Sequence, residues 1–351
     1  TGEAQSRAHV DQLRAALPAA WREVEIVAHA APSPLAYRTR ARIHARASGG
    51  RAIVGMNEAG SHEPVEVGRC AVLTPELESL RARVASILEG AHGHGDAQLA
   101  LGAFAARDGS PRPGVIELTW SGPLAAACFG RMERGTTEGW LAGARVWSGE
   151  STKPASIGDP TPWMRGADHV PLRLAPGGFG QASDDGNALL ARRVAALAKR
   201  ALGTREDARV LELYAGAGNL TVLLAALCKT LVAVESSRES CDAARMNLAA
   251  RSLASNVTRV VESDASTFAI PAATHLVVLD PPRSGARDAC TRIAASSARH
   301  VLYVSCDAPT LGRDLAVLEA ARFAPLAVEV FDLFPQTSHV ESVVLLERQR
   351  G

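Results

Sequence analysis

Short apolar runs alternate with helix-like patterns through the second half of the chain. Six such runs follow one another from about residue 207 to the end: RVLELYAG, TLVAVESS, VTRVVESDA, THLVVLDPPRSG, HVLYVSC and HVESVVLLER. Near-continuous apolar runs separated by helices are typical of parallel strands that are buried on both faces of a sheet. The pattern predicts an α/β domain of Rossmann-like type.

The part of the chain before about residue 175 has a different texture. Its apolar segments are short, glycine and proline are frequent, and helical patterns such as LTPELESLRARVASILEG (73–90) are few. These features favour a smaller, β-rich domain. The Pro/Gly-rich segment APGGFGQAS (175–183) lies at the junction. We therefore expect two domains, a β-rich domain over residues 1–175 and the α/β domain over residues 176–351.

Composition and charge exclude several classes of protein for this sequence. The chain has 351 residues, 47% of them hydrophobic, which is enough to bury the cores of two domains. Its 38 Lys and Arg nearly balance its 37 Asp and Glu, so a nucleic-acid partner would need a local basic cluster. The six cysteines form no CxxC pair, and no apolar run reaches the about 18 residues of a membrane helix. With no signal-peptide core in TGEAQSRAHV, we expect a cytoplasmic protein without membrane contact.

A glycine turn follows the first apolar run, in VLELYAGAGNLTVLLAAL (210–227). Gly216 and Gly218 permit a tight turn and a close ligand approach at the carboxyl end of a strand. Glu235 follows about twenty residues later, where a carboxylate can accept both hydroxyls of a ribose. The third glycine of a dinucleotide-binding turn is absent, so a nucleoside such as that of S-adenosylmethionine fits better than a pyrophosphate. Asp264 is placed to meet the adenine amino group; a purely structural turn is the alternative.

Three further polar signals fall where apolar runs end or begin. Asp280 ends a run and is fixed by two prolines that lack N–H donors, with Arg283 after them. Cys306 follows its run, and a helix beginning near Thr310 would direct a positive end toward the thiol and favour the thiolate. Glu341 lies in PQTSHVES, between two apolar segments, a pattern that indicates a β-hairpin. Each signal has a structural alternative: a strand-ending turn, a packing cysteine, or a glutamate at a strand edge.

Four segments occur in a specific order: LELYAGAGNLT, LDPPRSG, YVSCDAPTLGRDL and FPQTSHVES, with YRTRARIHA and GGFGQAS upstream. Together they resemble the signatures of the RNA 5-methyluridine methyltransferase family, the uracil-C5 enzymes acting on tRNA or ribosomal RNA. The resemblance spans about residues 32 to 348. It implies a class I S-adenosylmethionine methyltransferase domain, S-adenosylmethionine as cofactor, and RNA as partner.

The resemblance also implies roles for individual residues. Cys306 would be the nucleophile that adds to uracil C6, and Glu341 the base that removes the C5 proton. Asp280 and Arg283 would hold the uracil edge or the cofactor. The positions matching the cofactor pocket are Gln181, Tyr214, Gly216, Asn219, Glu235, Asp264 and Asp280. The chain has Asp307 and Ser183 where the family commonly has Asn, and either change could retune the pocket.

Some members of this family hold an iron–sulfur cluster with four cysteines. Only Cys70 resembles one of the four, so we expect neither a cluster nor another metal. RNA contact would fall to the first domain, where YRTRARIHA alternates basic side chains: Arg38, Arg40, Arg42 and His44. On a strand that spacing puts them on one face, where they could follow RNA phosphates; an arginine-rich solvated strand is the alternative.

Two other functions stay open at this point. A methyltransferase acting on an amino group would use a similar Asp-Pro-Pro loop, but such enzymes usually place an aromatic residue where this chain has Arg283. An RNA-binding or RNA-folding module would leave Cys306 and Glu341 without a chemical task. The sequence does not separate ribosomal from transfer RNA as the target. We expect a monomer without an obligate protein partner.

Overall fold

The computed structural model describes residues 2–350 except residues 59, 62, 105–109, 150 and 256. In the first half of the chain the elements are α1 (Gly2–Ala16), a short 3-10 helix (Ala19–Trp21), β1 (Ile26–His29), β2 (Ala41–Ser48), β3 (Arg51–Asn57), β4 (Pro64–Glu66), α2 (Pro75–Ile87), β5 (Gly93–Leu101), β6 (Gly114–Ser121), α3 (Ala126–Thr137), β7 (Leu141–Ser148), β8 (Ala155–Gly158), β9 (Trp163–Arg165) and β10 (Pro171–Arg173). The second half contains α4 (Asp184–Leu202), β11 (Arg209–Leu213), α5 (Thr221–Leu224), β12 (Thr230–Glu235), α6 (Arg238–Ala249), β13 (Thr258–Glu262), β14 (Leu276–Leu279), α7 (Arg287–Ala295), β15 (His300–Ser305), α8 (Ala308–Ala320), β16 (Phe323–Phe331) and β17 (Glu341–Arg348).

These elements form two compact units, each assembled from separate stretches of chain. The first unit combines Thr1–Pro34, Gly166–Val170 and Gly186–Gly351. The second unit combines Leu35–Arg165 and Pro171–Asp185. Among the described helices, none is both long enough and apolar enough to cross a membrane.

The first unit contains an eight-stranded sheet in the order β1-β16-β17-β15-β14-β11-β12-β13. Strands β11 to β15 are parallel, and β17 runs antiparallel to both β15 and β16. The apolar runs thus become strands as predicted, and PQTSHVES lies in the predicted hairpin between β16 and β17. This order confirms the Rossmann-like α/β class.

The strands of this sheet are buried on both faces. In β14, Val277 and Leu279 join one apolar cluster, whereas Leu276 and Val278 join the cluster on the other face. The alternation follows from the two-residue period of a strand. Because β11 to β15 are parallel, their carboxyl ends meet at one edge, where open α/β sheets bind ligands.

The second unit is β-rich, as predicted. Its main sheet has seven strands in the order β4-β3-β2-β5-β6-β7-β8, and β9 pairs with β10 in a separate two-stranded sheet. Helices α2 and α3 contribute to the apolar cluster of this unit, with Leu77 and Met132 among the buried side chains. Along β2, buried Ile43 and Ala45 alternate with polar side chains, so the sheet has one apolar and one polar face.

The two units divide the chain differently from the predicted domains. The first 34 residues belong to the α/β unit because β1 pairs in parallel with β16, from Ile26 with Val328 to His29 with Phe331. Conversely, Pro171–Asp185 belongs to the β-rich unit. A single predicted boundary at residue 175 could not describe this division, because a short edge strand carries no sign of its distant partner.

Candidate active site

Two neighbouring strands bring Cys306 and Glu341 together. In the antiparallel pair of β15 and β17, Ser305 pairs with Ser342, whose hydroxyl donates to the Ser305 carbonyl oxygen over 3.2 Å. Cys306 is the next residue after β15 and Glu341 is the first residue of β17, so the two face each other where this pairing ends. The negative charge of Glu341 raises the pKa of Cys306, as expected for close groups. The predicted thiol and carboxylate therefore share one site.

Asp280 completes this cluster of ionisable groups. It follows β14, which pairs with β15 on the side opposite β17. Its carboxylate raises the pKa values of both Cys306 and Glu341. Burial raises the pKa of Asp280 itself to about 7. Three neighbouring strands thus contribute one group each to the site.

The Cys306 side chain is a thiol rather than a thiolate at neutral pH. Burial raises its pKa to about 11; the charges of Glu341 and Asp280 add to the rise, and Arg283 opposes it. Helix α8 begins two residues later, with Asp307 as an N-cap that accepts a main-chain N–H of the first turn at 2.9 Å. The thiolate expected from the helix end is therefore not found in the free protein. Desolvation and two carboxylates outweigh the helix dipole.

Glu341 is suited to exchange a proton near neutral pH. It is 3% exposed, and burial raises its pKa to about 8. The charge of Asp280 adds to this shift, and Arg283 opposes it. A group whose pKa lies near the working pH accepts and releases a proton at low cost. Such a pKa is compatible with the predicted role of Glu341 as a base, which stays a prediction.

Arg283 supplies the positive charge at this site. It is exposed, and its Nη2 atom lies 3.3 Å from both ring nitrogens of His339. Its charge offsets part of the rise that burial causes in the pKa values of Cys306 and Glu341. A guanidinium beside these groups can stabilise negative charge that develops on a substrate oxygen.

The loop that carries Arg283 is anchored to α8. The Thr310 hydroxyl donates to the Arg283 carbonyl oxygen at 3.1 Å, and the Ala286 N–H donates to Asp314 Oδ2 at 2.6 Å. Gly285 has a φ of 77°, and a Cβ there would lie 2.5 Å from Asp314 Oδ2. The sequence patterns did not single out this anchor. Its available signal was an acidic side chain within the otherwise amphipathic TLGRDL.

The glycine turn lies at the carboxyl end of β11, as predicted. Tyr214, Gly216 and Gly218 have positive φ values of 62°, 55° and 85°. Glu235, the last residue of β12, holds the turn: its Oε2 accepts the Gly216 N–H at 2.9 Å, and its Oε1 accepts the Ser237 N–H at 2.8 Å. A Cβ on Gly216 would meet no atom within 4 Å, so the turn borders open space. The Ser236 hydroxyl also donates to Oε1, at 3.3 Å. A carboxylate has about four acceptor sites, so Glu235 can still accept about one hydroxyl group.

Asp264 and Tyr214 lie close to each other beside this turn. Asp264 follows β13 and is exposed, and hydrogen bonds from Ser266 lower its pKa, so it is ionised at neutral pH. The pKa of Tyr214 is raised to about 12, first by burial and then by the charge of Asp264. An ionised acceptor and a neutral phenol are thus available at the same edge of the sheet.

Asn219 of the turn is bound to Asn187, a residue that the sequence patterns did not single out. Their two amides exchange hydrogen bonds of 2.9 and 2.7 Å. Asn187 belongs to α4 and is fully buried. The pair ties the turn to α4, and a cofactor contact by Asn219 stays a prediction.

Glu212 is another buried polar residue that the sequence patterns did not single out. It lies within β11, is 2% exposed, and its Oε2 has no hydrogen-bond partner among the described residues. Burial raises its pKa to about 8, and the charges of Asp280 and Glu235 add to the rise. Glu212 is therefore a neutral carboxylic acid at neutral pH, and only Leu213 separates it from Tyr214. The acidic residue inside the apolar VLEL was the available signal.

Two of the predicted site residues, Gln181 and Arg40, form part of the interior of the second unit. Gln181 is 7% exposed, and its carbonyl oxygen accepts Arg40 Nη1 at 2.9 Å. Arg40 also donates to the Trp163 carbonyl oxygen at 2.7 Å and to Asp184 Oδ1 at 3.2 Å. Burial lowers the pKa of Arg40. The prediction that Arg40 contacts RNA phosphates is wrong, because its guanidinium is buried and both of its Nη atoms are bound within the unit.

The predicted row of basic side chains is shorter than expected because β2 begins only at Ala41. Arg38 precedes the strand, and its guanidinium carbon lies 5.7 Å from the centroid of the Tyr37 ring. Arg42 and His44 lie on the strand and alternate with buried side chains. The alternation therefore holds for these two members of the row.

Within the described part of the chain, no three His, Cys, Asp or Glu side chains are grouped in a way that could hold a metal ion. The six cysteines are free thiols. The expectation that this chain holds no iron–sulfur cluster stays a prediction.

Comparison with known proteins adds independent information. Residues 178–349 match the family model described as tRNA (Uracil-5-)-methyltransferase. The chain is 32% identical over 322 residues to the 23S rRNA (uracil(1939)-C(5))-methyltransferase RlmD of Pseudomonas syringae pv. tomato, covering 89% of this chain and 68% of that protein. It is 31% identical over 323 residues to the enzyme of the same name from an Enterobacter species, covering 90% of this chain and 71% of that protein.

A solved structure shows the same fold. The Pyrococcus abyssi tRNA (uracil-54, C5)-methyltransferase, in complex with S-adenosyl-L-homocysteine, superimposes with a TM-score of 0.75 at 19% identity. The superposition covers 99% of this chain and 83% of that one. The paired cysteine and glutamate at the sheet edge agree with the family match and with the two relatives. Together they show that the chain belongs to the RNA uracil-C5 methyltransferase family.

Proposed function

We propose that this protein transfers a methyl group from S-adenosylmethionine to C5 of a uridine in 23S ribosomal RNA. The observation that supports this most strongly is the facing pair of Cys306 and Glu341 at the edge that also carries the glycine turn. The ribosomal target rests on the two relatives named above, whose names give 23S rRNA as their substrate.

The reaction needs a nucleophile because uracil C5 is a weak nucleophile by itself. The Cys306 thiol loses its proton to solvent as the sulfur adds to C6. The addition makes C5 enolate-like, so that C5 can accept a methyl group. S-adenosylmethionine supplies that methyl group from its sulfonium. Glu341 then removes the proton from C5, the C6–S bond breaks, and the thiolate of Cys306 is released with 5-methyluridine as product. Arg283, whose charge acts on both Cys306 and Glu341, would stabilise the negative charge on the uracil oxygen while the adduct exists.

Several residues fit the cofactor. The open space beside Gly216 admits a ligand, the remaining acceptor site of Glu235 suits a ribose hydroxyl, and the exposed, ionised Asp264 suits an adenine amino group. Tyr214 is partly buried and packs against the apolar core. Contacts from Gln181, Asn219 and Asp280 to the cofactor stay part of the proposal.

The methylation target is tested by mapping 5-methyluridine in RNA from cells that lack the gene. We expect one site in 23S rRNA to lose the modification, and the purified protein to restore it on transcripts of that region with labelled S-adenosylmethionine. Loss from tRNA with intact ribosomal RNA would contradict the ribosomal target. Unchanged 5-methyluridine in both RNAs, with no transfer in vitro, would favour the RNA-folding module considered above.

Glu235→Ala is expected to weaken S-adenosylmethionine binding by tenfold or more. A hydrogen bond to a charged acceptor contributes about 1.5 to 3 kcal/mol, and about 1.4 kcal/mol corresponds to a factor of ten. Glu262→Ala is the matched control, because Glu262 ends β13, pairs with Glu235 across the strands and is exposed. Calorimetric titration measures both dissociation constants. Equal constants for the two variants would place the ribose elsewhere.

We also propose that the polar face of β2 contacts RNA. Arg42 and His44 lie on this face, and Arg46 continues the row. Asp96 Oδ1 lies 2.7 Å from His44 Nδ1, and Glu63 Oε2 lies 2.5 Å from Arg46 Nη1. These carboxylates offset part of the positive charge of the face. Arg42 is therefore the member of the row best suited to a phosphate, because it is exposed and no ion pair holds it among the described residues.

Arg42→Gln is expected to weaken RNA binding and to reduce the slope of log affinity against log salt concentration by about 1. Loss of one phosphate contact releases about one counterion fewer. Arg51→Gln, on the adjacent β3, serves as the control because Arg51 is exposed and pairs with Glu66. Filter binding over a range of salt concentrations gives both slopes. A slope shared by Arg42→Gln and wild type would exclude this phosphate contact.

The amino-group alternative is disfavoured by family membership and by Arg283 after the two prolines. A monomeric state and a cytoplasmic location remain predictions.

A further inference from the structure

The segment between β16 and β17 determines where Glu341 lies, because Glu341 is the first residue after it. This segment, residues 332–340, contains Gln336 with a φ of 68°. A non-glycine residue in the left-handed region is held there by its surroundings, since the conformation is unfavourable by itself. The contacts that hold the segment therefore bear on the position of Glu341.

Several of those contacts come from α1, more than 300 residues earlier in the chain. Gln5 Oε1 accepts the Gln336 N–H at 2.8 Å. Gln5 Nε2 lies 3.3 Å from the carbonyl oxygens of both Phe334 and Thr337. One glutamine side chain thus holds three successive parts of the segment, including the residue in the left-handed conformation.

One helical turn further on, a buried pair fixes the start of the segment. His9 Nδ1 lies 2.6 Å from Asp332 Oδ1, and the two residues are 3% and 7% exposed. The Asp332 N–H donates to the His29 carbonyl oxygen in β1 at 2.9 Å. Both ends of the 332–337 region are therefore tied to the N-terminal segment of the chain.

The other end of α1 packs on α8, the helix that follows Cys306. A Cβ on Gly312 of α8 would lie 2.1 Å from the Ala16 carbonyl oxygen, so the glycine permits a close approach of the two helices. Leu13 of α1 and Leu311 of α8 belong to the same buried cluster. Helix α1 thus contacts both the segment that precedes Glu341 and the helix that follows Cys306.

We propose that α1 is a positioning element for the methyl transfer, in which Gln5 and His9 hold the 332–340 segment so that Glu341 faces Cys306. This inference rests on the proposed roles of Cys306 and Glu341. It assigns no chemistry to Gln5 or His9, which act only through the position of the base. Its consequence is specific to one step: proton removal from C5 should slow, while cofactor binding and formation of the adduct continue.

The test is a single-turnover reaction with labelled S-adenosylmethionine and RNA, sampled on denaturing gels. Gln5→Ala and His9→Ala should accumulate the methylated protein–RNA adduct transiently and release product at least about tenfold more slowly, since a misplacement of about 1 Å can cost up to about a hundredfold. The cofactor dissociation constant should stay at the wild-type value. Gln12→Ala is the matched control, because Gln12 is an exposed glutamine of the same helix.

A conservative variant separates positioning from stability. His9→Asn keeps a donor near the position of Nδ1 and should restore release relative to His9→Ala, even if both lower the melting temperature. Release at the wild-type rate in Gln5→Ala and His9→Ala, or equal slowing in Gln12→Ala, would overturn the positioning role. Glu341→Gln is measured in parallel. If Glu341→Gln traps no adduct, Glu341 is not the base and the proposed function fails at that residue. If Glu341→Gln traps the adduct but the α1 variants release product normally, only the positioning role of α1 is wrong.

Discussion

Cys306→Ala is expected to bind S-adenosylmethionine with wild-type affinity and to transfer no methyl group above background. The thiol bonds to the uracil and not to the cofactor, so its removal stops the first chemical step without altering the glycine turn. Calorimetry measures binding, and a tritium-transfer assay measures turnover. Residual turnover near the wild-type rate would remove Cys306 from the mechanism.

Cys228→Ala provides the control for a general effect of losing a cysteine. Cys228 lies in the same unit, is partly buried, and its thiol donates to the Leu224 carbonyl oxygen at 3.3 Å. Burial raises the pKa of Cys228 to about 11, the same value as for Cys306. Both thiols are thus protonated at neutral pH in the free protein. Only their placement distinguishes them, and only Cys306 should be required.

Glu341→Gln is expected to stall the enzyme as a covalent protein–RNA adduct that survives denaturing electrophoresis. The base acts only after sulfur has bonded to C6 and the methyl group has reached C5, so the trapped species should carry the methyl label. Glutamine has nearly the same volume and suits a site that is 3% exposed. Incubation with labelled S-adenosylmethionine and RNA, followed by a gel, measures the adduct.

Two controls define this result. Adding Cys306→Ala to the same protein should abolish the adduct, because no sulfur remains to form it. Glu347→Gln should release product normally, since Glu347 lies at the far end of β17, where it accepts hydrogen bonds from Arg299. Normal turnover by Glu341→Gln would show that another group takes the proton, and His339, beside Arg283, would be the next candidate.

The sequence predicted the parts of the site whose residues follow apolar runs. Cys306, Asp280 and Glu235 each end or follow a strand of the parallel sheet, so the shared carboxyl edge brings them together once the strands are recognised. The hairpin likewise placed Glu341 at the start of the last strand. These predictions needed only local periodicity and the rule that parallel strands align their ends.

Other features depend on contacts that no local pattern reveals. The alternation in YRTRARIHA is the same for Arg40 and Arg42, yet Arg40 is buried against Trp163 and Asp184, whereas Arg42 is exposed. The pKa of Cys306 is another case, because the rise from desolvation depends on how deeply the neighbouring strands bury the thiol.

The pairing of β1 with β16 has a consequence for how the protein is made. His29 Nε2 in β1 lies 2.8 Å from Glu329 Oε2 in β16, and the two residues are 300 positions apart in the chain. At about 5 to 20 residues per second, a ribosome needs roughly 15 to 60 seconds to synthesise that stretch. The residues of the β-rich unit emerge during this interval and can fold first. During the same interval α1 and β1 have not yet met α8 and β16, the elements against which they pack. The catalytic sheet therefore forms only after β16 and β17 have emerged from the ribosome, and the nascent chain exposes β1 as an unpaired strand until then.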